Sequence, residues 1–231
     1  MSSIIQLPPS ARPADSVPLK YGIIVHSGFQ ALDVFGPLDA LNALSLCYPL
    51  QLFIIAETLD PVSTKPPGSL GNPTSNFAQS IVPTHTFDTV PALDVLIVPG
   101  GVGNRIPEVV ARAIEYIADV YPSLQFLLTV CTGSRLVAEA GVLDGRKATT
   151  NKAAWARTIA YRPQVNWVPH ARWVVDGNIW TASGVSAGID LIFAYIGEVY
   201  GEEVATLLSN FMEYERHQDS TWDPYAELYS L

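Results

Sequence analysis

With 231 residues, 22 acidic against 13 basic side chains and a formal net charge of -9, the chain offers no Lys/Arg-rich surface for phosphate neutralisation, which excludes nucleic acid as an expected partner. Hydrophobic residues make up 48% and charged residues 15%, enough apolar material for a large core and too regular a supply of it for disorder. No stretch approaches the ~20 consecutive apolar residues of a membrane helix, and the start Met-Ser-Ser-Ile-Ile-Gln lacks the basic and apolar regions of a signal peptide, so the expectation is a cytoplasmic protein with no membrane partner.

Residues 1–19 mix Ser, Pro, Ala and Arg without a hydrophobic period and read as a flexible N-terminal extension, a tail or strap before a single α/β domain at 20–231. The run 21–26 has strand length, and 31–46 has helical spacing in which Pro37 is tolerated only in a first turn. A second strand is expected at 50–56. The stretch 57–79 is rich in Pro, Gly, Ser, Thr and Asn and reads as a long loop or small hairpin. An apolar strand at 94–99 ends in Gly100-Gly101, and 107–121 places Val109, Val110, Ala113, Ile117 and Ala118 on one helical face.

The apolar run 126–130 leads without a linker into Cys131-Thr132-Gly133-Ser134 and a helix through Ala140, stopped by Gly141. Further on, 147–149 reads as a strand and 153–160 as a helix, while 172–175 and 179–182 flank Asp-Gly-Asn as a β-hairpin. Helices at 186–200 and 202–214, separated by Gly201, close the core, and the tail from Glu215 is polar and aromatic. Short apolar strands alternating with helices predict a three-layer α/β sandwich, a mostly parallel sheet with helices on both faces.

Ligands of open α/β sheets bind beyond the carboxyl ends of the strands, which directs attention to the loops after Val25, Val98 and Val130. The first delivers Asp33, the second Gly100-Gly101, the third Cys131 and Thr132. A cysteine between a strand and a helix start must adopt a tight turn like a nucleophile elbow, and helix N–H groups nearby favour its thiolate. The glycine pair can bring backbone N–H groups close to a ligand and, with the Thr132 N–H, form an anion-stabilising hole; a plain turn is the simpler use of such a pair. Asp33 stands where it can cap a helix or exchange protons with a thiol.

Cys47, among Leu44, Leu46 and Leu50, reads as a small buried hydrophobe, and both cysteines are expected as free thiols. His26, His85, His170 and His217 show no metal-ligand spacing, so no metal is expected. Trp155, Trp167, Trp173, Trp180 and Trp222 are read as core or interface residues.

Taken together the motifs resemble the ThiJ/PfpI superfamily of the class I glutamine amidotransferase-like, flavodoxin-like fold, and within it the isonitrile (isocyanide) hydratase branch. The matching segments are Leu32-Asp33-Val34-Phe35-Gly36-Pro37, Val98-Pro99-Gly100-Gly101, Val130-Cys131-Thr132-Gly133-Ser134, Ala140-Gly141-Val142-Leu143-Asp144-Gly145-Arg146, Ala148-Thr149-Thr150 and Gly184-Val185-Ser186-Ala187-Gly188-Ile189-Asp190. The resemblance implies Cys131 as nucleophile, Asp33 as acid/base and Thr132 as a hydrogen-bonding pocket residue. It further implies Gly100, Gly101 and Gly184 around the substrate and its developing charge, a small-molecule substrate, a homodimer and no cofactor. In such hydratases the thiolate attacks the terminal isonitrile carbon, the nitrogen side is protonated, water adds to the thioimidate and an N-formamide leaves. Where many relatives carry His after Ala148-Thr149-Thr150, this chain has Asn151, which removes the base of a Cys-His amidase and leaves proton transfer to Asp33.

Two alternatives use the same residues: cofactor-free glyoxalase-like chemistry on 2-oxoaldehydes, and a non-catalytic ligand- or redox-sensing role resting on an exposed, low-pKa Cys131. Related sensors carry a helix-turn-helix module, for which a chain ending at Leu231 is expected to leave no space.

Overall fold

The computed structural model describes residues 5–231. Among the described residues eleven strands form in chain order: β1 (Lys20–Ile24), β2 (Gln51–Ala56), β3 (Val62–Ser63), β4 (Ser80–Ile81), β5 (His85–Thr86), β6 (Val95–Val98), β7 (Phe126–Val130), β8 (Lys147–Ala148), β9 (Asn166–Trp167), β10 (Trp173–Asp176) and β11 (Ile179–Ala182). The helices are α1 (Ala31–Ser45), α2 (Pro107–Val120), α3 (Gly133–Glu139), α4 (Trp155–Tyr161), α5 (Ala187–Tyr200), α6 (Glu202–Phe211) and α7 (Pro224–Leu228).

Seven strands make the central sheet in the order β10-β11-β7-β6-β1-β2-β5, parallel throughout except for the hairpin pairing of β10 with β11. The middle strands β6 and β7 are buried on both faces apart from Phe126, which is why they read as unbroken apolar runs rather than alternating ones. One core lies under α1, α5 and α6. A second, on the opposite face, gathers Val110, Ala113 and Ile117 of α2 with Leu136 and Val137 of α3. These α2 positions recur at helical spacing, and full burial of a side chain such as Ile117 contributes about 1.5–3 kcal/mol. The three-layer α/β fold expected from the alternation is the fold observed.

Strand order reverses between β1 and β6: the chain steps from β1 outward to β2, then returns to lay β6 on the other side of β1. The carboxyl ends of β1, β6 and β7 therefore stand side by side at the switch point, where open α/β sheets form their crevice.

Some local expectations change. Pro37 is the seventh residue of α1, not in its first turn; it is buried in the helix interior, where the Asp33 carbonyl loses its usual N–H donor. The 57–79 excursion is closed by the antiparallel β3–β4 pair, with Val62 opposite Ile81. Of the predicted N-terminal extension, residues 1–4 lie outside those described, and the rest forms the strap rather than a free tail. Ile5 and Val17 are buried, the Arg12 N–H donates to the Tyr200 carbonyl (3.1 Å), and the Tyr48 hydroxyl donates to the Arg12 carbonyl (2.8 Å). Tyr200 reaches the Pro18 carbonyl and shares its hydroxyl with Tyr21 at 2.6 Å. Cys47 is half-buried beside the Ile5 carbonyl rather than fully enclosed. Among the described residues no helix is long and apolar enough to cross a membrane.

Candidate active site

Cys131 follows the last residue of β7 directly and takes φ 58°, a left-handed conformation that a side-chain-bearing residue adopts only when its surroundings over-determine it. The determinants are visible. The Cys131 N–H donates to the Ala182 carbonyl (3.2 Å), and the Cys131 carbonyl accepts from Ser134 Oγ (3.2 Å) and from buried Thr150 Oγ1 (3.1 Å). At Gly133 a Cβ would stand 2.0 Å from the Val98 carbonyl oxygen, so only glycine lets the first turn of α3 press against the end of β6. The sharp strand-to-helix turn read from the sequence is thus real.

Asp33 is fully buried in the first turn of α1, and its Oδ2 accepts from the Gly100 N–H at 2.9 Å. Its Oδ1 has no hydrogen-bond partner. The Cys131 thiol and the Asp33 carboxyl lie close enough to shift each other's protonation. Burial pushes Asp33 up to about 7, against the smaller lowering effects of the Gly100 N–H and the thiol. Asp33 does not cap α1 with its side chain, since Gln30 holds the cap position and Asp33 points inward to Gly100.

The thiol carries a correction. A thiolate favoured by the helix start was expected, but burial first, and the charge of Asp33 second, raise the Cys131 pKa, and the Thr132 N–H and hydroxyl only partly offset this. Cys131 is 6% exposed, so the exposed low-pKa thiol on which the redox-sensing alternative rested is absent.

Thr132 is the hub of a polar network. Its Oγ1 accepts from the Asn104 amide (2.8 Å) and the Gly101 N–H (3.2 Å), and its hydroxyl is left to donate to the sulfur. Asn104 also donates to the Thr132 carbonyl at 3.1 Å. The glycine pair therefore serves a different purpose from the one expected: the Gly100 and Gly101 amides are committed to Asp33 and Thr132, so neither is a free donor for a developing anion. Gly101, at φ 144°, lets its loop lie against residues 28–30, where the Gln30 N–H donates to the Gly100 carbonyl at 2.9 Å.

Cys131, Thr132 and Gly101 open on a pocket of about 170 Å³, walled further by Asn104, Arg135, Asn151 and Val185. Gly184 is not on this wall. It lines an adjacent cavity that shares Asn151, Ala153 and Val185 with the first. Asn151 Oδ1 accepts the Ala154 N–H (3.2 Å), which fixes its side chain between the two. His26 is buried with its pKa lowered by desolvation and lines neither cavity. Among the described residues no group of three His, Cys, Asp or Glu side chains is placed to hold a metal ion.

Sequence reasoning missed Asn104 and Arg135. Asn104 is buried four residues after Gly100; its guanidinium partner Arg135 reaches the Asn104 carbonyl, pairs with Glu139 at 2.9 Å and stacks over the Tyr161 ring at 3.8 Å. The available signal was an arginine in the first turn of a short helix whose other positions, apart from Glu139 four residues on, are apolar or small.

The DJ-1/PfpI family model matches residues 20–198. The chain is 32% identical over 197 residues to an isonitrile hydratase of Pseudomonas putida, covering 85% of this chain and 78% of that protein. It is 33% identical over 124 residues to a deglycase of Pyrococcus horikoshii, 52% of this chain and 70% of the deglycase. Among solved structures, a ThiJ/PfpI family protein from Pseudomonas syringae superimposes with a TM-score of 0.72 at 28% identity, covering 90% of this chain and 84% of the other.

Proposed function

We propose that this chain, which belongs to the DJ-1/PfpI family, hydrates a small isonitrile to an N-substituted formamide through Cys131, with Asp33 moving the proton. The observation that carries the reading is the buried thiol held between an unsatisfied carboxyl oxygen and the Thr132 hydroxyl, at the wall of a pocket, in a chain similar along 85% of its length to an isonitrile hydratase.

The raised pKa values suit this reaction. An isonitrile carbon needs a proton as well as a nucleophile, and a thiol beside a carboxyl poised near 7 supplies both. As the S–C bond forms, the thiol proton passes to the ionised Asp33 carboxylate and on to the same carbon, giving a thioformimidate. The formamide carries a hydrogen on that carbon, so atom balance moves the first proton to carbon rather than to the nitrogen side named by the resemblance. Water then adds to the carbon and the nitrogen takes one of its protons. The C–S bond breaks, and the sulfur recovers a proton by way of Asp33 as the formamide leaves. The Thr132 N–H and hydroxyl stabilise negative charge on sulfur while the proton is in transit. Asn151 cannot accept a proton at neutral pH, which keeps Asp33 as the single acid/base.

Formamide production from cyclohexyl isonitrile by the wild type, abolished in Cys131→Ala, is the expected result. A folded wild-type protein that yields no formamide from several alkyl and aryl isonitriles overturns the reading. The similarity to the Pyrococcus deglycase favours a second reading in which the chain is an enzyme of a different activity; glyoxalase-like chemistry on 2-oxoaldehydes would use the same Cys131 and Asp33, and lactate formed from methylglyoxal is its test.

A further inference from the structure

The cavity next to the thiol pocket is built by a part of the chain that the chemistry does not use. It measures about 210 Å³ and is bounded by Lys152, Arg172 and Gly184 on the domain side and by Tyr225 and Tyr229 on the other. The two tyrosines lie one helical turn apart on the C-terminal segment, each 47% exposed. Asn151, Ala153 and Val185 line this cavity and the thiol pocket alike, so the two adjoin across these side chains.

The segment that carries the tyrosines is fastened at several points. Asp223 caps α7 through the Tyr225 N–H (3.1 Å), and its carboxylate pairs with Lys152 Nζ at 3.1 Å, both side chains almost wholly buried. Lys152 Nζ also donates to Thr149 Oγ1 (2.8 Å) and the Ala171 carbonyl (3.1 Å). The Arg172 N–H holds the Ser220 carbonyl at 2.8 Å, and its guanidinium is paired with Asp190 at 2.6 Å and packed on Trp222. The two cations on the cavity wall are therefore each neutralised by a buried carboxylate, and the remaining surface is mostly aliphatic and aromatic. Such a wall favours a neutral apolar group, since a charged one would be desolvated without a free counter-ion.

We infer that this cavity receives the substituent on the isonitrile nitrogen, that Tyr225 and Tyr229 set specificity for an alicyclic or aromatic group there, and that the C-terminal segment is thus a specificity element. This rests on the hydratase reading, but its test does not depend on turnover alone. Three variants are compared with the wild type: Tyr225→Ala and Tyr229→Ala, which remove the aromatic wall, and Gly184→Val, which narrows the cavity without touching the C-terminal segment. Gly184 has an ordinary backbone conformation, and a Cβ there meets only Asn151 Nδ2 at 3.4 Å, so the backbone accepts a side chain at this position; circular dichroism of each variant checks that it is folded.

One readout is the ratio of kcat/KM for cyclohexyl against methyl isonitrile. The other is the ratio of Cys131 alkylation rates by N-cyclohexyl iodoacetamide and iodoacetamide, followed by mass spectrometry. Both ratios are expected to fall about tenfold in each variant, the effect of losing or blocking an apolar subsite. Ratios unchanged in all three variants overturn the inference. If the wild type turns over no isonitrile while the alkylation ratio falls as expected, the hydratase reading fails and the substituent cavity stands.

Discussion

Replacing Asp33 by Asn separates what the carboxyl does for chemistry from what it costs the fold. The amide matches the carboxyl in shape and still offers an oxygen to the Gly100 N–H, but it neither ionises nor exchanges protons. In the unfolded chain Asp33 titrates near its ordinary 3.8, whereas in the folded protein burial holds it near 7. Below both values each state is protonated and no penalty exists. Between them the folded state binds the extra proton, so stability falls as pH rises towards 7 and is level above it. At pH 8 the penalty is about 4 kcal/mol, and at pH 5 it is under about 2 kcal/mol. Asp33→Asn should therefore gain about 2–3 kcal/mol on the wild type between pH 5 and pH 8, which for a chain of this size is about 5–10 °C in relative melting temperature. Thermal unfolding by circular dichroism at pH 5, 6, 7 and 8, with formamide production beside it, is the assay. The expected outcome is a variant that is inactive yet progressively more heat-resistant than the wild type as pH rises. Melting curves that stay parallel across this range, or turnover at the wild-type rate, would refute the reasoning.

Thr132→Val removes the hydroxyl that donates to sulfur and the oxygen that holds Asn104 and Gly101. It should slow alkylation of Cys131 by iodoacetamide about tenfold near pH 8 and move the alkylation profile to higher pH; an unmoved profile contradicts the role given to Thr132. Lys152→Met leaves Asp223 buried without its cation and should cost about 3–5 kcal/mol in urea unfolding, with earlier proteolytic nicking of the C-terminal segment. A midpoint unchanged from the wild type would mean that the pair does not anchor the segment. The homodimer implied by the family resemblance is proposed to bury the groove where half-exposed Leu32, Phe35 and Leu52 meet Met212. Light scattering should give the mass of two chains, and Phe35→Glu the mass of one; a monomeric wild type excludes the proposal.

The frame of the site was legible because each part lies at the end of an apolar strand or one loop beyond it. The runs before Asp33, Gly100 and Cys131 could be read without knowing their partners, and the strand order brings their ends together. Two things were hidden in tertiary contacts. The sign of the Cys131 shift depends on how deeply the sulfur is enclosed and on Asp33, a residue 98 positions earlier; local sequence showed only the favourable helix start. The use of the Gly100 and Gly101 amides likewise depends on Asp33 and Thr132 being in reach. The two-residue strands β5 and β9 are too short to show a period, and α7 lies in a stretch whose aromatic residues follow no helical stripe before Pro224. Pro37 misled for the opposite reason: a local rule was sound, and the packing of α1 overrode it.

The contact between Gly133 and the Val98 carbonyl bears on how this protein could be redirected to new substrates. A wall of main chain cannot be recontoured by exchanging side chains, so mutant libraries that diversify 100, 101 or 133 will mostly yield unfolded protein. Diversity is better placed at 225 and 229, where the wall is made of replaceable side chains, and at 184, where an added Cβ meets only Asn151 Nδ2 at 3.4 Å.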